Sequence, residues 1–429
     1  MLARCYLRAS TDEQDATRAR DQVDGNNPYT RLIQFQDIFP NRQLTPLEQS
    51  ALRPLDVTIF PRERGPYNFE IPDGYPGFSQ GLTTTGELDQ PETRWAGFMR
   101  ALNTVDFEAA NIEFVEFWML NPYMDKGDGT NVSKDGDMYI DLGYVSEDIM
   151  RDSRQFFENA IPTGGTVGST ADTRWGRIPL LQPVVNAFDN DPAKRDLQDL
   201  GLDGLNDSIE RVFFADWLNV ILASSLSPNA KAAIEADPSN DNFVFFRDPA
   251  FDATTPGLLE RYRKFNSTQG NSPANETQSL NPSATTLPDN EDINRDLSLN
   301  QSESYFRYKI PLKKRFVTFN DGVQMEVLDT EDPALRDLVT DTVVFDRNGA
   351  RFVWYRFKMP IDYNRREAIN DIQDFRAIRF VRMFWKGFDE RTTFRFATLE
   401  LGRNQWRRYT QPLPRLGPDG VGCDDHGSS

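Results

Sequence analysis

The chain has 429 residues, and its 48 Lys and Arg stand against 66 Asp and Glu for a net charge of −18. That balance argues against nucleic-acid binding, which needs a cationic footprint, and against docking on anionic lipid through a basic patch. The one histidine, His426, stands in a Gly/Ser/Asp tail, which leaves no ground for triad hydrolysis, histidine acid–base chemistry or His-ligated zinc.

Cys5 and Cys423 lie near opposite ends and make no disulfide framework. No apolar run reaches ~18 residues, so no transmembrane helix is expected. The opening MLARCYLRASTDEQ lacks the apolar stretch of a signal peptide. A cytosolic chain or a piece of a longer one fits both facts. At roughly 150 residues per domain the length allows two or three domains.

Residues 1–60 read as a polar N-terminal segment, with Leu47, Leu52 and Leu55 on a short helix after Thr45-Pro46. A first β module is expected over 61–150. Ile112–Leu120 (IEFVEFWML) is nearly continuous apolar, as a strand covered on both faces is. Met138–Leu142 (MYIDL) follows as a second strand. Residues 151–265 read as a helical insert. Ser146 N-caps a predicted helix to Glu158, and a second runs from about Ser208 to Ala223 with Ile209, Val212, Phe213, Trp217, Val220 and Ile221 as one apolar stripe. Another short helix is expected after Ser227-Pro228.

Residues 266–304, dominated by Asn, Ser, Thr, Pro and acids, read as a disordered-looking polar linker. Period-two alternation then resumes at Phe306, Tyr308, Ile310 and Leu312, at Val323, Met325 and Val327, and at Val353, Tyr355, Phe357 and Met359. A second β module is expected over 305–412, with a tail over 413–429.

An internal repeat links the two β stretches. Asp106-Phe107-Glu108-Ala109 precedes Ile112–Trp118 (IEFVEFW), and Asp374-Phe375-Arg376-Ala377 precedes Ile378–Phe384 (IRFVRMF). Apolar positions match and Glu becomes Arg. Duplication predicts two related sandwich modules; convergent strand chemistry is the alternative. Residues 305–415 carry 22 basic and 15 acidic residues, net +7, against −25 for the remainder. Opposite signs favour docking of one module on the other; two solvated faces are the plainer reading. The fold class expected is mainly β, two jelly-roll-like β-sandwich modules with an α-helical insert.

The sharpest chemical motif is Asp199–Glu210. Counted as a 12-residue calcium loop it places Asp199 at position 1, Asp203 at 5, Gly204 at 6, the Leu205 carbonyl at 7, Asp207 at 9 and Glu210 at 12. Position 3 is Gly201, so one ligand is missing. Asp207-x-x-Glu210 also reads as a capping box without metal. Calcium (Ca2+) is thus the one cofactor the residues suggest. Asp189, Asp191 and Asp196 stand upstream as further acids, and Asp125, Asp128, Asp135 and Asp137 crowd a loop that reads as turns or a second metal site. Trp354, Trp385 and Trp406 are candidates for a ligand or partner surface, with buried core as the alternative. Thr163-Gly164-Gly165-Thr166 lacks the strand-to-helix context of a phosphate loop. No nucleophile elbow appears, so no enzyme is expected.

Taken together, RGPYNFEI (64–71), TRWAGFMRAL (93–102), DFEAANIEFVEFWML (106–120), MYIDLGYVSEDI (138–149), RDLQDLGLDGLND (195–207), PDNEDINRDLSLNQSESYFRYKIPL (288–312), DFRAIRFVRMFWKGF (374–388) and TFRFATLELGRNQWRRY (393–409) resemble the SprA (Sov) family of Bacteroidota. The resemblance spans roughly residues 60–410. It implies a portion of a cell-surface protein that forms the outer-membrane translocon of type IX secretion and serves gliding motility. It also implies a fragment, since family members are several times longer and close a large β-barrel. The expected partners are plug or accessory lipoproteins and exported cargo, with this portion periplasmic or extracellular. The expected role is non-catalytic scaffold or docking surface. From another class, a free-standing calcium-assisted adhesion or carbohydrate-binding module fits the same residues, as does, more remotely, a carboxylate hydrolase.

Overall fold

The computed structural model describes residues 27–45, 50–124, 132–157, 170–180, 201–242, 244, 250–254, 256–264, 290–347 and 349–403, together with the backbone of 3–9. Among the described residues, eleven strands form two large antiparallel sheets: Ala3–Ala9 (β1), Leu55–Arg64 (β2), Trp95–Ala101 (β3), Ile112–Leu120 (β4), Gly136–Tyr144 (β5), Ser304–Leu312 (β6), Val339–Arg347 (β7), Ala350–Pro360 (β8), Glu367–Ile369 (β9), Phe380–Lys386 (β10) and Thr392–Arg403 (β11). The first sheet has the order β1-β2-β11-β4-β8-β7 and the second β9-β6-β5-β10-β3. The chain is mainly β, as its alternation predicts.

The two β stretches do not close separate sandwiches. They interleave. Extended over 55–144, repeat one supplies β2, β3, β4 and β5; extended over 304–403, repeat two supplies β6, β8, β10 and β11. The first sheet therefore alternates β2-β11-β4-β8, and the second alternates β6-β5-β10-β3. Exchanging the repeats maps one order onto the other: β2 with β6, β3 with β8, β4 with β10 and β5 with β11. The two Asp-Phe-x-Ala segments meet where the halves cross. The Phe107 amide donates to the Phe375 carbonyl at 2.9 Å, the Ile378 amide to the Val105 carbonyl at 2.9 Å, and Arg376 pairs with Glu108 at 2.9 Å. The repeat read in the sequence is thus one sandwich with exchanged strands. Alternation marks a strand as half-buried but carries no information about its partner.

Side chains from both sheets share one core, among them Phe117, Phe357, Phe394 and Phe396 with Ile140, Tyr308, Ile310, Met383 and Trp385. Phe117 stacks on Phe357 at 4.7 Å and Trp385 on Phe394 at 4.8 Å. Strand β4 is largely apolar on both faces for a reason: its other face carries Trp118 and Leu120 against Tyr29, Ile33, Ile38 and Leu52, so residues 27–45 and 50–52 roof the first sheet. The short helix expected at Leu47–Leu55 gives way to strands, with Leu52 in a two-residue strand and Leu55 opening β2; Leu47 lies outside the described residues.

The opposite charges of the two stretches are spent between strands. Arg356 of β8 pairs with Glu116 of β4 at 2.8 Å. Arg395 of β11 pairs with Asp56 of β2 at 2.9 Å, both buried. Asp141 of β5 takes two bonds from Arg307 of β6, at 2.8 and 2.9 Å, and one from Arg382 of β10 at 2.9 Å. Glu in one repeat and Arg in the other make unlike strands the better neighbours.

Residues 146–157 are not helical, against the reading of Ser146–Glu158. Their polar groups are engaged elsewhere. Glu147 accepts the amides of Ile293, Asn294 and Asn300, and Glu291 accepts those of Ile149, Met150 and Phe156. Residues 290–303 of the expected linker are thus packed against this loop; 265–289 lie outside the described residues.

Candidate functional site

Three helices of the insert, Asp207–Phe213 (α1), Ala215–Ala223 (α2) and Pro228–Ala236 (α3), fold residues 201–210 back against 237–242. Asn206 is the N-cap of α1, its side chain accepting the Ile209 amide at 3.1 Å, which corrects the capping box assigned to Asp207 and Glu210. Ser227 caps α3 as its Ser-Pro start predicts. The expected stripe over 208–223 is broken at Phe214. Ile221 and Leu218 point inward, while Val212 and Val220 are exposed.

A hairpin, Thr170–Asp172 with Arg177–Pro179, braces the loop from below: the Arg177 amide donates to the Asp203 carbonyl at 2.7 Å. Gly204 turns there with φ +68°, and a Cβ at this position would fall 1.9 Å from the Arg177 carbonyl oxygen, so glycine is required. The sandwich grips the other side. Arg64 of β2 donates to the Pro238 carbonyl at 2.8 Å, and the Tyr67 amide donates to the Ser239 carbonyl at 2.7 Å.

This framework gathers five carboxylates. Oxygens of Asp203, Glu210 and Asp241 lie within 4.8 Å of one another, and a second group, Asp207, Glu210 and Asp237, shares Glu210. Asp203 and Glu210 are 0 % exposed and Asp241 2 %. Ser239 serves two of them, its hydroxyl donating to Asp203 Oδ2 at 2.5 Å and its amide to Glu210 Oε2 at 2.9 Å. The Leu205 amide donates to Asp203 Oδ1 at 3.0 Å, and Asn242 donates to Asp207 at 2.9 Å. Glu210 Oε1 and Asp241 Oδ2 are buried with no hydrogen-bond donor among the described residues.

Burial pushes the Glu210 carboxyl up to about 8, and the adjacent Asp203 adds to it. Burial likewise holds Asp241 well above the carboxylate range, with Asp203 and Glu210 reinforcing the effect. Asp207 is raised by burial, against the pull of its bond from Asn242. Such a group of acids can share protons or surround a hard cation.

The structure thus brings together Asp203, Asp207 and Glu210 of the predicted loop. Leu205 is buried beside them, and Asp199 lies outside the described residues, as do Asp189, Asp191 and Asp196. Asp237 and Asp241 were missed, since they follow an intervening helical hairpin and no fixed spacing announces them. In the other acidic loop, Asp135 accepts the Lys314 amide at 3.0 Å and Asp137 pairs with Lys309 at 2.9 Å; Asp125 and Asp128 lie outside the described residues, and so does 163–166. The aromatic surface is corrected. Trp354 is 1 % exposed and Trp385 0 %, each filling a core, so neither offers a face for stacking. Trp406 lies outside the described residues.

No helix among the described residues is long and apolar enough to cross a membrane. Residues 216–423 match a family model, SprA_N, described as a motility related/secretion protein. The matched region takes in α2, α3 and every strand of repeat two. No curated protein matches the chain.

Proposed function

With residues 216–423 matching the SprA family of motility and secretion proteins, we propose that the chain is a non-catalytic portion of an outer-membrane translocon of type IX secretion, serving protein export and gliding. The family match carries this reading. In it the interleaved sandwich is a rigid body that presents surface to plug or accessory lipoproteins and to cargo, on the periplasmic or extracellular side. Rigidity suits such docking, because surfaces held by a packed core lose little entropy on association.

The competing glycan-binding reading is weakened, since two of its three tryptophans, Trp354 and Trp385, are buried. The test is genetic. Cells lacking residues 55–403 are expected to lose colony spreading and to retain their exported proteins instead of displaying them. Normal spreading with normal surface display would overturn the proposal. Adhesion to polysaccharide lost alone, with export intact, would favour the binding module.

A further inference from the structure

We propose that Asp203, Glu210 and Asp241 bind one divalent cation of the calcium class, with Asp207 and Asp237 as flanking acids of the same site. The inference stands apart from the secretion reading.

Proximity is the first ground. One oxygen from each of the three residues lies within 4.8 Å of the others, a spread that an ion with ligands at about 2.3–2.6 Å can span. The second ground is independent of proximity. Glu210 Oε1 and Asp241 Oδ2 are buried in this cluster without a hydrogen-bond donor among the described residues. Burying a polar oxygen unpartnered is unfavourable, and a cation supplies what is missing. Gly201 is the third. A Cβ there would lie 1.8 Å from Asp241 Oδ2. Gly201 stands at the loop position where a ligand is expected, and the carboxylate of Asp241 fills the space that the absent side chain leaves. The ligand missing from the loop arrives from beyond α3.

The charge balance agrees. Arg211 and Lys264 act on Asp207, against the rise that burial gives it. Arg211 directs a bond to the Glu235 carbonyl, and Lys264 reaches Asp237 only at 4.0 Å. The donor set is carboxylate, with neither His nor Cys in either group, which selects a hard cation over zinc. Irregular, all-protein carboxylate donors favour calcium over magnesium, which demands a tight octahedron and retains its waters.

Equilibrium dialysis of the full chain, stripped with chelator, against calcium chloride tests this, with thermal unfolding measured in parallel. One ion per chain is expected, with an unfolding temperature that rises saturably in calcium. Asp241→Asn and Gly201→Ala should each weaken binding at least tenfold. Asp207→Asn, half-buried and bonded to Asn242, should keep the fold and weaken binding severalfold. No bound ion at about 10 mM calcium, or an affinity unchanged by Asp207→Asn and Asp241→Asn, overturns the site. Magnesium binding as tightly as calcium overturns the choice of ion.

Discussion

Asp141 shows how much rests on one buried acid. It is fully buried in β5, and guanidinium groups from β6 and β10 both close on it. Arg382 then reaches Glu303 at 3.3 Å, which continues the network to the surface. Asp141→Asn leaves two arginines facing one neutral oxygen, and truncating a buried pair in this way costs about 3–5 kcal/mol. A urea titration should show the midpoint fall accordingly. Glu291 makes a different prediction. Burial holds its carboxyl up at about 7 against three amide bonds that pull the other way. The fold thus favours the protonated form. Its stabilisation is complete below the ordinary value of 4.5 and is lost as pH climbs through about 7. The unfolding midpoint should fall between pH 5 and 8, and Glu291→Gln should flatten that slope. Residue spacing alone would not have separated such acids from ligands. Asp292, Asn294, Asp296 and Glu303 also follow calcium-loop spacing, yet the Asp292 oxygens accept the Asp296 and Leu297 amides and Glu303 pairs with Arg382. Orphaned oxygens, which only the fold reveals, distinguish the Asp203 site.

Strands were far more legible than helices, and the reason lies in what each buries. Phe306, Tyr308, Ile310 and Leu312 all point into the core, as their alternation predicts, because a sheet face imposes period two on whatever covers it. The nearly continuous apolar run of β4 predicted cover on both faces, and residues 27–45 and 50–52 provide it. The insert obeys weaker rules. Its helices are short, bury only single stripes and turn on local bonds such as the Ser224 hydroxyl to the Ile221 carbonyl at 2.6 Å. A periodic reading runs through Phe214 without noticing the break. In the same way Ser146, Glu147 and Asp148 look like a helix start, but Glu147 is drawn to amides some 150 residues away. Partners distant in sequence overrule local propensity, and nothing in the local sequence declares them.

The molecule as a whole was half legible. The repeated Asp-Phe-x-Ala motif and the Glu-to-Arg change announced two related units of opposite charge. They did not announce that each sheet takes its strands alternately from both. That arrangement makes most pairings remote: Thr58 and Thr393, whose hydroxyls meet at 2.9 Å across β2 and β11, stand 335 residues apart. Contacts so distant slow folding, because loop closure must precede any reward.

Alternation also works as a check on completeness. A chain that stops before residue 392 leaves β2 and β4 facing each other across a missing strand, each with a bare edge open to any passing β segment. Half a product is therefore sticky, not merely shorter. Residues 1–265 and 290–429, made separately, should each lack a cooperative melt and tend to aggregate. Mixed from denaturant, they should zip into a one-to-one complex with the melt of the intact chain. Independent folding of either piece would show that the repeats stand alone. Complementation would show that this protein closes only when both of its halves have arrived.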